Sequence, residues 1–298
     1  MSWFLFALLA LLFWSGSDLF SKMGSRPDDK YSHWKMVMAV GTVMGIHAIV
    51  MLALGTPFSP IDIIRYMPAS AMYILSMILG YVGLRYIELS ISSPICNSSG
   101  AVAAVLCFAI LGQAMTGLQL VGVICACIGV FGLSYIEKKQ DDAAREARRE
   151  LADVKYQRSF LAILFPILYC LIDGLGTFTD ILLLDGGIVE EESANIAYEF
   201  TFLAMAVFAF IYVVVIKKQP LNIPKERPKI AAALCETGGQ FFYIYAIGAN
   251  GIVAAPMISS YCVASVLWAR IFLKEKLTWQ HYAVIAITAV GVAILGME

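Results

Sequence analysis

Long apolar segments recur along this chain from one end to the other. Of its 298 residues, 60% are hydrophobic and only 14% are charged, against roughly 25% charged residues in an average soluble domain. A run of about 20 apolar residues is long enough to cross the hydrocarbon layer of a membrane as a helix. The sequence therefore predicts an all-α integral membrane protein with ten transmembrane helices. The predicted spans are 3–22, 34–54, 68–88, 92–111, 117–136, 159–179, 194–216, 229–248, 251–273 and 278–297.

The sequence also repeats itself at a constant spacing. Segment 93–99 returns as 255–261, with Pro94 and Pro256 standing 162 positions apart. The same spacing aligns further residues without a gap: Tyr81 with Tyr243, Leu111 with Leu273, Thr116 with Thr278 and Gly129 with Gly291. The second half is therefore predicted to be a divergent copy of the first. This divides the chain into a first repeat (1–136), a charged linker (137–158) and a second repeat (159–298).

Lysine and arginine are distributed unevenly between two sets of loops. All of the 21 Lys and Arg residues except Arg65 lie in or beside the connections that follow predicted spans 1, 3, 5, 7 and 9. By the positive-inside rule these loops, including the linker, are cytoplasmic and both termini lie outside. Because five spans per repeat is an odd number, the two repeats insert in opposite orientations. Inverted repeats of this kind are typical of secondary transporters.

The end of the chain carries a more specific pattern. Segment 270–291 has a span that ends in Leu-Lys-Glu-Lys-Leu-Thr and is followed by a glycine-containing span, whereas the equivalent segment 111–116 lacks the charges. Together with the five-plus-five repeat, this pattern resembles the ten-span EamA-type members of the drug/metabolite transporter superfamily over essentially the whole chain. The resemblance implies a central cavity lined mainly by predicted spans 1, 3, 4, 6, 8 and 9. It also implies a small-molecule cargo, which in the family ranges from amino acids to amines, sugars and nucleotides.

Several carboxylic acids stand inside the predicted spans, where no Lys or Arg lies equally deep. An ionised aspartate at a helix centre costs about 2.5 to 3.5 kcal/mol on insertion scales, so such residues call for an explanation. Trp14 and Asp18 are four residues apart and share a helix face, and Tyr169 and Asp173 repeat that spacing. An aromatic ring beside a carboxylate suits an organic ammonium ion. The alternative for both pairs is helix packing by the aromatic ring and a structural role for the acid.

Predicted span eight carries a polar stripe in an otherwise apolar sequence. Glu236, Gln240 and Tyr243 follow the spacing i, i+4 and i+7, which places them on one helix face. This stripe is the main candidate for a wall of the cargo cavity. Glu236 and Asp173 are also candidates for proton coupling, because ionisable groups in such places are frequently functional. The alternative for Glu236 is a hydrogen bond between helices.

The repeated segments supply the remaining candidate binding residues. Asn97, Ser98, Ser260 and Tyr261 can contact cargo or satisfy backbone groups that the nearby prolines leave free, and Tyr81 corresponds to Tyr243 in the repeat. Close helix packing is an alternative explanation for the small residues here. Glu199 is expected to be peripheral. His47 is expected to be a lone histidine in the core.

These features predict a secondary transporter that moves a cationic or zwitterionic, amino-acid-like amine across the cell membrane by alternating access. The alternatives are an exporter of lipophilic cations and a ligand-binding membrane receptor that does not transport. The chain has no His-Glu-x-x-His or Gly-x-Ser-x-Gly motif, so no catalytic residue is predicted.

The remaining expectations concern partners and cofactors. All seven cysteines fall within predicted spans, where they behave as small apolar residues, so neither a metal site nor a disulfide is predicted. We expect no cofactor. The net charge of -1 gives no reason to expect a nucleic-acid partner. The expected partners are the lipid bilayer and the small-molecule cargo, and the sequence leaves monomer and homodimer open.

The predicted topology can be checked at the last residue. A tag fused to Glu298 should be labelled on intact cells by a reagent that does not cross the membrane, because both termini are predicted outside. Labelling that requires permeabilisation of the cells would contradict this orientation.

Overall fold

The computed structural model describes residues 3–24, 29–83, 95–147, 160–272 and 278–295. Within these ranges the regular elements are all helical, and a π-helix, Ile211–Ile216, follows α7. The α-helices are α1 (Trp3–Gly24), α2 (Ser32–Ala53), α3 (Ile61–Gly83), α4 (Ser99–Leu111), α5 (Gly117–Ala147), α6 (Phe160–Asp185), α7 (Glu191–Phe210), α8 (Ile223–Ser259), α9 (Tyr261–Phe272) and α10 (Trp279–Leu295).

Six helical segments in the described part of the chain are long and apolar enough to cross a membrane. They are Trp3–Gly24, Ser32–Ala53, Ile61–Val82, Leu164–Asp185, Glu191–Ile216 and Ile223–Ser265. Shorter apolar helices lie at Ser99–Leu111, Gly117–Gly132 and Trp279–Leu295. The fold is therefore all-helical, as predicted, and its composition is that of a multi-pass membrane protein.

Helix α3 begins seven residues before the predicted span. Asp62 lies in its first turn, where a carboxylate favours the positive end of the helix dipole. Arg65 pairs with Asp62 at 3.0 Å one turn along. Pro68 lies inside the helix, although proline cannot donate the helical hydrogen bond at its position. Helix α3 thus includes residues 61–67, which the predicted span left out.

Two other helix boundaries also differ from those of the predicted spans. Helix α6 continues to Asp185, six residues past the predicted span, so Asp180 lies inside a helix. Helix α8 runs through the predicted boundary between spans eight and nine, but Asn250 at this boundary has non-helical backbone angles.

Some sequence features lie partly or wholly outside the described residues. Helix α5 continues into the predicted linker as far as Ala147, whereas 148–158 is outside the described ranges. Pro94, the charged motif at 273–277 and both chain ends are outside them as well. The start of α5 is described, and there Thr116 and Gln119 each accept a hydrogen bond from the other's backbone N–H.

The chain divides into two compact units, each built from both halves of the sequence. Unit 1 comprises Met1–Ile74 and Phe178–Gly251, and unit 2 comprises Leu75–Thr177 and Ile252–Glu298. Neither unit therefore coincides with one sequence repeat.

In unit 1, helix α2 packs closely on α7 because glycine leaves room for the neighbouring backbone. A Cβ atom on Gly41 would clash with the Phe202 carbonyl oxygen and would lie 2.7 Å from the Ala206 Cβ atom. A Cβ atom on Gly45 would lie 2.7 Å from the Leu203 side chain. Such small-residue contacts let helices approach closely where lipid removes the hydrophobic driving force.

An ionic cluster ties the α1–α2 connection of unit 1 to the start of α8. Lys35 Nζ lies 2.7 Å from Asp29 Oδ2 and 3.6 Å from Glu226 Oε1, and Lys229 Nζ lies 2.5 Å from Glu226 Oε2. Burial alone would raise the pKa of Asp29, but the hydrogen bond from Lys35 and the nearby positive charges outweigh burial and lower it. Asp29 is therefore an anion that holds the connection against α2.

Unit 2 contains a second close helix pair, α5 with α10. A Cβ atom on Gly129 would clash with the Thr288 side chain, and one on Gly122 would lie 2.6 Å from Leu295. Beside this seam, a buried apolar cluster includes residues of α5, α9 and α10. Its members are Val130, Ile136, Cys262, Val263 and Val284.

The α2–α7 contact predicts a position-dependent cost for adding one methyl group. Gly41→Ala should destabilise the protein by about 1 to 3 kcal/mol, because the methyl group meets backbone atoms that cannot move aside. Gly117→Ala is the matched control, since a Cβ atom there would meet nothing within 4 Å. Thermal unfolding of the purified proteins measures the difference, and equal midpoints for the two variants would contradict this packing.

Candidate functional site

A fully buried carboxyl group on α6 anchors a polar cluster in unit 1. Asp180 is 0% exposed. The Tyr73 hydroxyl on α3 donates a hydrogen bond to Asp180 Oδ2 at 3.1 Å. The Tyr243 hydroxyl on α8 lies 2.5 Å from the Tyr73 oxygen. Because Tyr73 has a single hydroxyl proton, Tyr243 donates to Tyr73 while Tyr73 donates to Asp180. Three helices thus converge on one carboxyl group.

Other polar atoms of this cluster retain unused hydrogen-bonding capacity. Tyr66, fully buried on α3, faces Asp180. The Tyr66 hydroxyl lies near enough to Asp180 to interact with it, but within the described residues neither this hydroxyl nor Asp180 Oδ1 reaches hydrogen-bond geometry, and the same is true of Ser70 Oγ. Buried polar atoms in proteins are nearly always satisfied, so unsatisfied ones call for an explanation. These atoms can form hydrogen bonds with a further polar group.

Aromatic rings surround the tyrosine pair that leads to Asp180. The Trp14 ring of α1 lies 4.9 Å from the Tyr243 ring, measured between centroids. The Tyr73 ring lies 6.2 Å from the Tyr243 ring and 5.8 Å from the Tyr198 ring of α7. Rings of this kind present negative faces to a cation. The cluster therefore combines a carboxyl group with several aromatic faces.

The predicted stripe on α8 and the predicted tryptophan on α1 meet in unit 1. Trp14 packs over Gly239, where a Cβ atom would clash with the indole ring. Ser17 on α1 donates a hydrogen bond to Glu236 Oε2 at 2.7 Å. Gln240 is buried, and within the described residues its Nε2 group has no hydrogen-bond acceptor. Asp18 is half-buried on α1, four residues beyond Trp14.

Asp173, which was predicted as a cargo contact and a proton-coupling candidate, lies in unit 2. Asp173 on α6 accepts hydrogen bonds from the Ser76 hydroxyl, at 3.0 Å, and from the Ser99 hydroxyl at the start of α4. Tyr169, one turn earlier on α6, packs against Gly80 of α3, where a Cβ atom would lie 2.9 Å from its ring. Tyr169 and Asp173 thus lie one turn apart on α6, and serine hydroxyls are hydrogen-bond partners of the carboxylate.

The two copies of the repeated segment pack against each other in unit 2. A Cβ atom on Gly100 would clash with the Ser259 hydroxyl and lie 2.5 Å from the Ala255 carbonyl oxygen. Both copies also interrupt their helix with a turn at equivalent positions, at Asn97 and Ser98 in the first and at Ser260 in the second. Close helix packing therefore accounts for Gly100.

The remaining predicted residues lie at these breaks and at helix ends in unit 2. Asn97 is buried, and Ser98 is the residue before α4. Ser260 is buried and donates its hydroxyl hydrogen to the Met257 carbonyl oxygen at 2.6 Å. Tyr261 begins α9 and is half-buried, as is Tyr81 near the end of α3.

The sequence pattern did not lead to a prediction of Tyr66, Ser70, Tyr73 or the central place of Asp180. The first three follow the spacing i, i+4 and i+7 on α3, as do the three residues of the predicted stripe on α8. The same pattern could have found them. It was hidden because the predicted span began at Pro68 and so excluded Tyr66. Asp180 lay just beyond the predicted span, which stopped at residue 179.

Two expectations about other ionisable residues were wrong. Glu199 is not peripheral, since its side chain is fully buried in α7. His47 is not a lone histidine, because its Nδ1 atom lies 2.7 Å from Glu199 Oε1. The two residues are 152 positions apart in the sequence, and only the packing of α2 on α7 brings them together.

The positions of the His, Cys, Asp and Glu side chains also bear on metal binding. Within the described ranges, no group of three or more His, Cys, Asp or Glu side chains is arranged to hold a metal ion. All seven cysteines are free thiols.

Comparison with known proteins gives a family and a fold. The sequence model of the EamA-like transporter family matches residues 1–135 and 188–297. No curated protein matches the chain. A solved structure described as a crystal structure of protein is 14% identical over 99% of this chain and 96% of its own, with a TM-score of 0.69. That likeness shows a shared fold. Since the family model matches most of both sequence halves, the chain belongs to the EamA-like transporter family of the drug/metabolite transporter superfamily, whose members are membrane transporters and not enzymes.

Proposed function

We propose that this protein is a secondary transporter that carries a cationic or zwitterionic, amino-acid-like amine across the cell membrane by alternating access. Its family supports membrane transport. The observation that carries the choice of cargo is the buried carboxyl group of Asp180 among tyrosines. We propose the lipid bilayer and the small-molecule cargo as partners, and a homodimer remains compatible with this proposal.

Asp180 suits an ammonium group because its own surroundings supply no positive charge. Its neighbours in the described part of the chain are the hydroxyls of Tyr66 and Tyr73, and none is a Lys or Arg side chain. An ionised carboxylate in such a place gains most from a cation that also donates hydrogen bonds. Asp180 Oδ1 is the unsatisfied atom that would accept such a bond.

The surrounding residues would select the rest of the cargo. The Trp14, Tyr73 and Tyr243 rings would attract the positive charge through their faces. The Gln240 amide on α8 has an unused donor that would bind an oxygen atom, such as that of a cargo carboxylate. A zwitterionic amino acid offers both groups.

The other acids would serve the same transport cycle. Glu236 is held by Ser17 in unit 1, and Asp173 by Ser76 and Ser99 in unit 2. We propose both as further cargo contacts and as groups that exchange a proton during transport. The two related halves of the sequence support alternating access, since inverted repeats have two nearly equivalent packings.

Counterflow in proteoliposomes tests the central assignment. Vesicles are loaded with unlabelled solute and given a trace of labelled solute from a panel of amino acids, primary amines and quaternary amines, with a neutral sugar for comparison. Asp180→Asn should weaken the apparent affinity for amines by about 10- to 100-fold, because a charge-assisted hydrogen bond is lost. Asp185→Asn is the matched control, an exposed acid at the end of the same helix, and should leave affinity unchanged.

Two results would reject this assignment. One is an Asp180→Asn protein that is monodisperse and binds amines as well as the wild type does. The other is accumulation of the neutral sugar alone. Accumulation restricted to bulky lipophilic cations would instead support an exporter of such compounds.

The carboxylates of Glu236 and Asp173 can be tested in the same vesicles. Glu236→Gln and Asp173→Asn should each reduce amine counterflow while leaving the thermal midpoint nearly unchanged. Each substituted amide retains one oxygen that accepts a serine hydrogen bond, while the charge is removed and the second carboxylate oxygen is replaced by an NH2 group. If both variants transported amines as the wild type does, neither acid would contact the cargo or carry a coupling proton.

A further inference from the structure

A second ionisable site lies in unit 1, on helices that pack beside the cargo site. His47 of α2 and Glu199 of α7 are joined at 2.7 Å between Nδ1 and Oε1. The Glu199 side chain is 0% exposed, whereas 28% of the His47 side chain is exposed. Glu199 is thus buried inside the unit, whereas part of the His47 side chain lies at the surface.

The pair is isolated from other charges. Within the described residues, its polar contact is the Asn195 amide, whose Nδ2 group donates to Glu199 Oε1 at 3.3 Å. Its neighbour from α8 is the Phe241 ring, which lies 5.5 Å from the His47 ring. No other charged side chain of the described chain faces it. The nearby acids of unit 1 are engaged elsewhere, Asp180 by Tyr73 and Glu236 by Ser17.

The His47–Glu199 pair can exist in two protonation states that differ by one proton. A carboxylate in this position needs a positive partner, which protonated His47 supplies. Glu199 Oε2 and Asn195 Oδ1 are buried and lack donors within the described residues. A proton added to Glu199 would provide a donor on that side. The Asn195 amide can serve both states, since it donates through nitrogen to a carboxylate and accepts through oxygen from a carboxylic acid after a half-turn.

Helix α7 links this pair to the cargo site. Tyr198, the residue before Glu199, lies 5.8 Å from Tyr73 between ring centroids, and Tyr73 holds Asp180. A change in the position of α7 on protonation would therefore act on both sites. Coupling between two ligands requires an element whose arrangement both sites bias, and α7 is the element that contacts both sites here.

We propose that His47 and Glu199 form a proton-binding site through which a transmembrane proton gradient drives cargo transport. The proton is then the second ligand of the transporter, bound apart from the amine. This inference rests on the proposed function, because a coupling proton presupposes a transported solute.

The first experiment tests proton binding without cargo. The chain has three histidines, so histidine-selective 15N labelling of the purified protein gives few ring signals, and His47→Gln identifies the His47 signals by their loss. Between about pH 5 and about pH 9 we expect the His47 ring to titrate. In Glu199→Gln the midpoint of its titration should change. A His47 ring that does not titrate, or that titrates identically in both proteins, would overturn the proposal.

The second experiment tests coupling in proteoliposomes, with the labelled amine panel as probe. An imposed pH gradient should accelerate accumulation in the wild type. In Glu199→Gln and His47→Gln this acceleration should fall by about tenfold, a typical size for coupling between two sites, while counterflow at equal pH persists. His281→Gln is the matched control, because this buried histidine of α10 bonds to Thr278 in unit 2.

The outcomes separate the two proposals. Absence of counterflow in the wild type would reject the proposed function, and the labelled histidine would still report on proton binding. Counterflow with an unchanged gradient response in Glu199→Gln would reject only the proton site. The proton site would also be rejected if the response to the pH gradient were lost in Glu236→Gln or Asp173→Asn but kept in Glu199→Gln. Acceleration by a sodium gradient alone would reject it as well. If neither variant at the pair can be purified folded, the His47 signals are those that persist in both His33→Gln and His281→Gln, and their titration in the wild type decides.

Discussion

A polar group inside an apolar helical protein must find its partners within the protein, and much of unit 1 is arranged around this requirement. The carboxyl group of Asp180 depends on Tyr73, which in turn accepts a hydrogen bond from Tyr243. These residues come from α6, α3 and α8. Their side chains meet only if the three helices turn the correct faces toward one another, so the polar cluster also specifies how the helices are rotated.

Small residues make this arrangement compatible with close packing. Gly41 lets α2 approach the backbone of α7, and Gly239 makes room for the Trp14 ring of α1 on α8. Without a strong hydrophobic drive between helices in lipid, contact at van der Waals distance and interhelical hydrogen bonds hold such bundles together. The same glycine that stabilises the α2–α7 pair keeps this pair of helices close enough for His47 to reach Glu199.

In the functions that we propose, two ionisable groups with different surroundings divide the work of transport. Asp180 lies among tyrosines without a basic neighbour in the described chain, which suits an organic cation. Glu199 already has a basic partner in His47, so it is less suited to bind an organic cation and better suited to bind a proton. Tyr198 and Glu199 are consecutive on α7, and each contacts one of the two sites.

Hydropathy alone determined the all-helical membrane fold, because water-free lipid leaves few alternatives to an apolar helix. Helical spacing likewise indicated Glu236, Gln240 and Tyr243, since residues on one helix face are set by local geometry. Tertiary structure decided what these residues meet. Asp180 with Tyr73, and His47 with Glu199, are more than 100 positions apart, and their pairing depends on which helices pack and at what rotation. The pattern along a single helix specifies its faces but not the neighbour that each face contacts.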